Sequence, residues 1–173
     1  MEIKSNLQQC LVIIKPDGLI KSITGDIIMA LSTTNLKIVG TKIVKVTKEH
    51  AEKHYTELKE KKPHIFQATF DYITGKYHTD RVMALVYQGE NAIDKIRNVA
   101  GKTNPEEAES TSIRGRYGRI NSKTGVFENV IHASDSEANA EKEIKLWFKA
   151  EELVEHIYPT IKKDEKIKHL VWK

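Results

Sequence analysis

The chain has few of the residues that define several common protein classes. Cys10 is its only cysteine, so neither an intrachain disulfide nor a cysteine-cluster metal site can form. A lone cysteine at the head of a strand is more often a small buried hydrophobe than a nucleophile, and we interpret Cys10 in that way. Aromatic residues make up only 7% of the chain, and the predicted strands lack interleaved exposed aromatics for base stacking. Nucleic acid is therefore not expected as the main partner.

Long apolar runs are also missing. No stretch approaches the roughly 18–20 residues that a membrane span needs. The apolar run after the first ten residues is cut off by Lys15-Pro16-Asp17, too early for the apolar region of a signal peptide. We therefore expect an intracellular, cytoplasmic protein with no membrane partner.

The familiar phosphate-binding and hydrolase motifs do not occur. The sequence contains neither the phosphate loop GxxxxGK[ST] nor the dinucleotide turn GxGxxG, and it also lacks HExxH and GxSxG. An enzyme that uses ATP would need a different way of holding phosphate in this chain.

What the chain does have is the composition of an ordinary globular domain. Its 173 residues are 39% hydrophobic and 30% charged, enough for one compact domain with a real core. The net charge of +4 is spread along the chain, and the lysine-rich stretches 59–62 and 162–166 are typical of solvated surface. A mild positive balance still suits a polyanionic small substrate such as a nucleotide.

Hydrophobic periodicity predicts four strands separated by helices. The strands are predicted at 10–14, 36–46, 81–87 and 128–132, and the helices at 24–35, 47–58, 65–73, 91–99 and from 134 onward. The first strand is continuously apolar, as in a buried central strand, and Gly40 indicates a bulge or bend in the second. Ser134-x-x-Glu137 is a capping box that predicts the start of the last helix.

This order of elements matches the split βαβ arrangement of an α+β, ferredoxin-like sandwich. We expect a four-stranded antiparallel or mixed sheet that is covered by helices on one face. Residues 1–158 are assigned to a single domain. Residues 159–173 are predicted to be a C-terminal extension that packs on the domain or frays from it.

His132 is the first candidate for a catalytic residue. It stands at a strand end and just before a helix start, where side chains reach the rim of a sheet and unpaired N–H groups favour bound phosphate. Imidazole is a competent nucleophile when an acceptor holds its other nitrogen. A lone histidine is nevertheless far more often structural than catalytic.

His50 and His54 lie one helical turn apart without an evident third metal ligand, so we interpret both as surface residues.

Several segments, all in the same order, resemble the nucleoside diphosphate kinase family over about residues 9–158. The most specific is NVIHASDS at 129–136, which is similar to the family signature N-x-I-H-[GA]-S-D-S around its phosphorylated histidine. The other segments are IKPDG at 14–18, TNP at 103–105, IRG at 113–115, AEKEI at 140–144 and LWF at 146–148.

The resemblance implies a kinase that moves the terminal phosphate of a nucleoside triphosphate to a nucleoside diphosphate. The mechanism would be ping-pong, through a phosphohistidine at His132. The implied cofactor is Mg²⁺, which bridges nucleotide phosphates and is not held by a cage of protein ligands. The implied assembly is a homo-oligomer, either a hexamer or a tetramer.

The resemblance also implies roles for single positions. Glu143 and Ser134 would orient the imidazole of His132, while Lys15 and Tyr55 would lie beside the transferred phosphate. The residues that would bind the nucleotide are Lys15, Phe66, Arg97, Thr103, Arg114, Val126 and Asn129.

The chain departs from the family in the wall that holds the base. The family's Arg-Pro-Phe-Phe stretch is here KPHIF at 62–66, and this apparent one-residue insertion leaves His64, Ile65 and Phe66 as alternatives for that wall. Segments 72–81 and 116–128 are also longer than usual, and the first lies in a region that makes subunit contacts in the family.

Two other functions remain as alternatives. The first is a ferredoxin-like module that binds RNA or DNA through its basic surface without turning over nucleotides. The second is a family member kept as a regulator after losing its activity. Loss of His132 or Lys15 would have indicated the second, and both residues are present.

Overall fold

The computed structural model describes residues 6–163 of the chain. Within this range the strands are β1 (Leu7–Ile14), β2 (Lys37–Lys45), β3 (Arg81–Glu90), β4 (Arg119–Ile120), β5 (Phe127–Glu128) and β6 (Ile131–Ala133). The α-helices are α1 (Pro16–Ile20), α2 (Thr24–Ser32), α3 (Lys48–His54), α4 (Thr56–Lys61), α5 (Pro63–Ile73), α6 (Ala92–Ala100), α7 (Ile113–Tyr117) and α8 (Glu137–Trp147). Short 3₁₀ turns cover Pro105–Glu107 and Ala150–Glu152.

Across the described residues, the main sheet has four strands in the order β2-β3-β1-β6. Each neighbouring pair is antiparallel, which confirms the predicted ferredoxin-like arrangement. The expected bulge is also present, because the register of β2 against β3 shifts between Ile38 and Gly40. None of the described helices is long and apolar enough to cross a membrane.

Helices cover both faces of this sheet, so the expectation of one covered face was wrong. On β1, Leu11 and Ile13 belong to a core that includes Trp147 of α8. The alternate residues, such as Val12, belong to a second core that includes Ile96 of α6. The sequence of β1 is continuously apolar because a strand that is buried on both faces shows no alternation with polar residues.

Cys10 is fully buried and desolvation raises the pKa of its thiol to about 12, which supports its interpretation as a core residue.

The helix starts were predicted with mixed success. The predicted helix start at residue 47 is confirmed: Thr47 caps α3, because its hydroxyl accepts a hydrogen bond from the backbone N–H of His50. The capping box at Ser134 was wrong: Ser136 caps α8 and accepts from the N–H of Asn139. Ser134 is fully buried, and its hydroxyl is committed to partners in the interior. The predicted helix over 47–58 is interrupted at Tyr55 and forms α3 and α4.

The predicted fourth strand also divides in two, because Val130 adopts a left-handed backbone conformation with φ of 58°. β5 before this corner pairs with β4 as a separate hairpin, whereas β6 after it pairs with β1. The corner is tied to the end of β1: the N–H of Lys15 donates to the Val130 carbonyl at 2.8 Å. The buried Asp17 carboxylate accepts from the N–H of Val130 and from the hydroxyl of Tyr72. These bonds hold the segment that leads into His132.

The C-terminal extension stays a prediction. Residues 159–163 form no helix or strand, and residues 164–173 lie outside the described residues.

Candidate active site

A cavity of about 580 Å³ opens beside the end of β1 and the start of β6. It is lined by residues from segments that are distant in sequence, and it gathers most of the predicted site. The predicted site residues in its wall are Lys15, Tyr55, Arg97, Thr103, Arg114, Val126, Asn129, His132 and Glu143.

His132 faces this cavity with its ring held from behind. Its Nε2 lies 3.0 Å from Oε1 of Glu143, in an ion-pair contact that is off the line of a full hydrogen bond. Such contacts are often poorly aligned before substrate binds. The hydroxyl of Ser134 donates to the other Glu143 oxygen at 2.6 Å and accepts from the N–H of Leu11 at 3.2 Å. Ser134 is therefore linked to the His132 ring through Glu143.

The Glu143 carboxyl is ionised at neutral pH. Burial works to raise its pKa, but the charge and hydrogen bond of His132, together with His54 and Ser134, outweigh burial and hold the pKa below its ordinary value. His132 is thus backed by a full negative charge.

The wall of the cavity also carries positive charge. The Nζ of Lys15 donates to the Asn129 side-chain oxygen at 2.7 Å, and the Asn129 amide nitrogen donates to the Thr103 carbonyl at 2.7 Å. Burial, and then the charge of Arg114, lower the pKa of Lys15 to about 8, although Asp17 opposes this. A bound anion would relieve this crowding of cations.

Arg114 is buried and joins two parts of the wall. Its Nη1 donates to the Gly101 carbonyl at 2.6 Å, and its Nη2 donates to the Ile131 carbonyl at 3.1 Å. Burial and the charge of Arg97 lower the pKa of Arg114 to about 10, which leaves it charged at neutral pH. Its Nε is buried and has no hydrogen-bond partner among the described residues. Arg114 both shapes the cavity and offers charge to it.

The structure does not bring Phe66 to the cavity. Its side chain is buried on the far side of α5, where its ring packs on Phe70 at 5.6 Å and lies under the ammonium of Lys59. His64 and Ile65 line the cavity instead. Successive helix residues point about 100° apart, so the apparent insertion before Phe66 rotates its ring away from the wall. Val126 faces the cavity as predicted.

His54 is the functional candidate that the sequence analysis missed, and its assignment to the surface was wrong. Its side chain is only 2% exposed, and its ring lies edge-to-face with that of His132 at 4.6 Å. The indole N–H of Trp147 donates to its Nδ1 at 3.2 Å. His50 is half-buried and packs on the same indole at 4.3 Å, so it is not a surface residue either. No local sequence signal reveals this burial, because it depends on Trp147, which is 93 residues further along the chain.

A histidine with a carboxylate behind it and cations in front of it has the arrangement of a phosphoryl-transfer site. The carboxylate holds one ring nitrogen, while the other is free to act as the nucleophile. The cations can stabilise the charge of a transferring phosphoryl group.

Comparisons with known proteins agree with this class. The family model described as nucleoside diphosphate kinase matches residues 8–153. The nucleoside diphosphate kinase of Pyrococcus horikoshii is 43% identical over 152 residues, which cover 88% of this chain and 92% of the relative. That of Bacillus cereus is 39% identical over 150 residues, covering 87% and 94%.

Solved structures show the same relationship. A structure described as a transition-state mimic of the Borrelia burgdorferi enzyme with bound vanadate and ADP matches with a TM-score of 0.78. It is 31% identical, and the match covers 88% of this chain and 93% of that one. The chain therefore belongs to the nucleoside diphosphate kinase family.

Replacing Arg114 with alanine tests its double role. Because the guanidinium bonds two backbone carbonyls, Arg114→Ala should lower the free energy of unfolding by about 2–3 kcal/mol and weaken ADP binding at least about tenfold. Urea denaturation and calorimetric titration with ADP measure the two effects. Arg116→Ala, an exposed arginine on the same helix, is the matched control. An Arg114→Ala protein that binds ADP as tightly as the wild type would remove Arg114 from the site.

The lowered pKa of Lys15 predicts pH-dependent binding. The ammonium is charged below a pH of about 8 and loses its charge as the pH rises through that value. Since nucleotide phosphates are already ionised in this range, ADP affinity should fall severalfold between about pH 7 and pH 9.5. In Lys15→Arg the fall should be smaller, because arginine keeps its charge. Identical pH profiles for the two proteins, measured at constant ionic strength, would contradict the assignment.

Proposed function

We propose that the chain performs the reaction of its family through a covalent phosphohistidine at His132, moving the terminal phosphate of a nucleoside triphosphate to a nucleoside diphosphate. One observation carries this proposal: Glu143 contacts Nε2 of His132 while the same ring lines the cation-bearing cavity. Nδ1 is then the nitrogen that remains for attack.

In the first half-reaction, the lone pair of Nδ1 attacks the terminal phosphorus. The bond from that phosphorus to the bridging oxygen breaks, and the nucleoside diphosphate leaves with the electron pair. The phosphorylated imidazole keeps its proton on Nε2 and carries positive charge, which the Glu143 carboxylate stabilises. In the second half-reaction, a terminal oxygen of another diphosphate attacks the phosphorus and the P–N bond breaks. One cavity serves both nucleotides in turn, which gives ping-pong kinetics.

The cations around the cavity hold the phosphates for this exchange. Arg97 and Arg114 would bind phosphate oxygens, with the hydroxyl of Thr103, and Lys15 would lie beside the transferred group with Tyr55. Asn129, which is bonded to Lys15, would reach the sugar hydroxyls. Since these contacts go to phosphate and sugar, weak selectivity for the base is expected.

The implied cofactor is Mg²⁺, and the donor set fits a metal carried by the nucleotide. The carboxylates that line the cavity are Asp135 and Glu143, and Glu143 is committed to His132 and Ser134. Mg²⁺ retains several waters and typically binds substrate phosphates with one or two carboxylates, so Asp135 is the residue that would face it. When bound, the ion neutralises phosphate charge.

We also propose a homo-oligomer, a hexamer or a tetramer, that works in the cytoplasm on free nucleotides. β2 is an edge strand of the described sheet, and its Ile38 and Ile43 are 44% and 58% exposed. Exposed apolar side chains on a strand edge favour association with a second copy.

Phosphoryl uptake tests the proposal directly. The protein is incubated with γ-labelled ATP and Mg²⁺, freed of nucleotide, and then given GDP. The wild type should hold acid-labile, alkali-stable label and pass it to GDP, which forms labelled GTP, because the phosphoenzyme is an obligatory intermediate.

His132→Ala should take up no label, whereas His156→Ala should behave as the wild type because His156 is exposed and lies outside the cavity wall. The proposal would be overturned by a wild type that takes up no label, or by equal labelling of His132→Ala.

A further inference from the structure

We propose that Trp147 and His54 are positioning residues for His132. The indole N–H determines which nitrogen of His54 carries the proton, and the neutral His54 ring braces the imidazole of His132 against Glu143. This inference rests on the proposed phosphohistidine mechanism and adds two residues that do not touch the nucleotide.

His132 needs a brace because it borders two cavities. Besides the large cavity, a second cavity of about 210 Å³ is lined by His54, His132 and Glu143. The imidazole is therefore not packed on every side, and a neighbouring ring is needed to restrict its rotation. The His54 ring meets His132 at 4.6 Å with an interplanar angle of 78°, which is a close edge-to-face contact.

The hydrogen bond from Trp147 fixes the proton on His54. Because Nδ1 of His54 accepts the indole N–H at 3.2 Å, its proton must sit on Nε2 in the neutral ring. A second proton on Nδ1 would point at the indole N–H and break this bond. Burial independently lowers the pKa of His54 to about 3, so the ring stays neutral across the physiological range.

The neutral state matters because His54 and His132 face the same oxygen. Oε1 of Glu143 lies 3.0 Å from Nε2 of His132 and 4.0 Å from Nδ1 of His54. A protonated His54 would compete for this carboxylate and repel the charge that develops on the phosphorylated imidazole. A neutral His54 leaves the Glu143 charge to His132.

Charged groups on β6, at the end of β1, on α3 and on α8 act on the pKa of His54. The charges of His132 on β6, Lys15 at the end of β1 and His50 on the same helix act to lower its pKa, and Glu143 on α8 acts to raise it. Among these groups, only Glu143 favours the protonated His54 ring. The hydrogen bond from the Trp147 indole to Nδ1 opposes that protonation directly.

These contacts do not form a metal site in their present arrangement. One ligand atom from each of His54, His132 and Glu143 lies within 4.8 Å of the other two. A metal-binding histidine donates its second ring N–H to an acceptor, whereas Nδ1 of His54 accepts from Trp147. The indole bond therefore favours a positioning role.

The variant Trp147→Phe keeps an aromatic ring and removes the donor. Its kcat should fall about tenfold, since a misplaced nucleophile loses orientation. Its KM should stay near that of the wild type, because neither Trp147 nor His54 lines the nucleotide cavity. The acid limb of its pH profile should move upward by roughly one pH unit, because removal of the indole donor lets His54 take a second proton at higher pH.

A second substitution separates this mechanism from a packing defect. His54→Asn offers its side-chain oxygen to the indole N–H but cannot titrate. In Trp147→Phe/His54→Asn the shift of the acid limb should therefore vanish, even if kcat stays low. His50→Asn is the matched control, because His50 also packs on Trp147 but does not hydrogen-bond the indole. The charge of His50 is the weakest influence on His54, so the acid limb of this variant should move much less than that of Trp147→Phe.

Nitrogen-15 spectra of the His54 ring supply a readout that needs no variant. The wild type should show a neutral ring with the proton on Nε2 down to about pH 5. A proton on Nδ1, or a charged His54 at that pH, would overturn the inference. So would an unshifted acid limb in Trp147→Phe, or a shift that persists in the double variant. If one of these results occurs and the wild type still takes up label from γ-labelled ATP on His132, only this inference fails. If the wild type takes up no label, the proposed function fails as well.

Discussion

Glu143 reaches from α8 to β6 and places one carboxylate oxygen 3.0 Å from Nε2 of His132. This contact joins two elements that each depend on the rest of the fold. α8 is held against the sheet by Ile144 and Trp147 in one core, and β6 is held beside β1 by its antiparallel pairing. Because Glu143 contacts Nε2, Nδ1 is the ring nitrogen that we propose as the nucleophile. The chemistry of the site follows from this one-sided restraint.

The cavity in front of His132 is a region of unbalanced charge. Lys15 and Arg114 are both desolvated, and Arg114 lowers the pKa of Lys15 while Arg97 lowers that of Arg114. In the free protein these cations are partly satisfied by backbone carbonyls and by Asn129. A phosphate chain would supply the missing negative charge. The same residues that stabilise the wall therefore give the cavity a positive charge that suits a polyanion.

Local sequence patterns predicted the parts of the structure that depend on neighbouring residues. Three features could be predicted because each depends on a few consecutive side chains: the buried strand β1, the helix start at Thr47 and the bulge near Gly40. The resemblance around 129–136 then identified His132 and its partners as candidates, and the structure gathers most of them around one cavity. Their individual roles stay predictions.

The features that escaped prediction depend on contacts between distant segments. Ser134 looked like a helix cap, but its hydroxyl is used by Glu143 and by the N–H of Leu11, which no local pattern reveals. His54 looked exposed because its burial depends on Trp147, 93 residues further along the chain. Phe66 was one of three alternatives for the base wall, but its ring packs on Phe70 and does not line the cavity. In each case the partner that decides the role is supplied by tertiary packing.

The position of phosphorylation on the His132 ring tests the central claim most directly. The phosphoenzyme, formed with ATP and digested in alkali, releases a phosphohistidine whose two ring isomers can be separated and distinguished by phosphorus NMR. Because Glu143 holds Nε2, we predict that the phosphoryl group is on Nδ1 of His132. Phosphate on Nε2, or on another residue, would contradict the restraint from which the mechanism is derived.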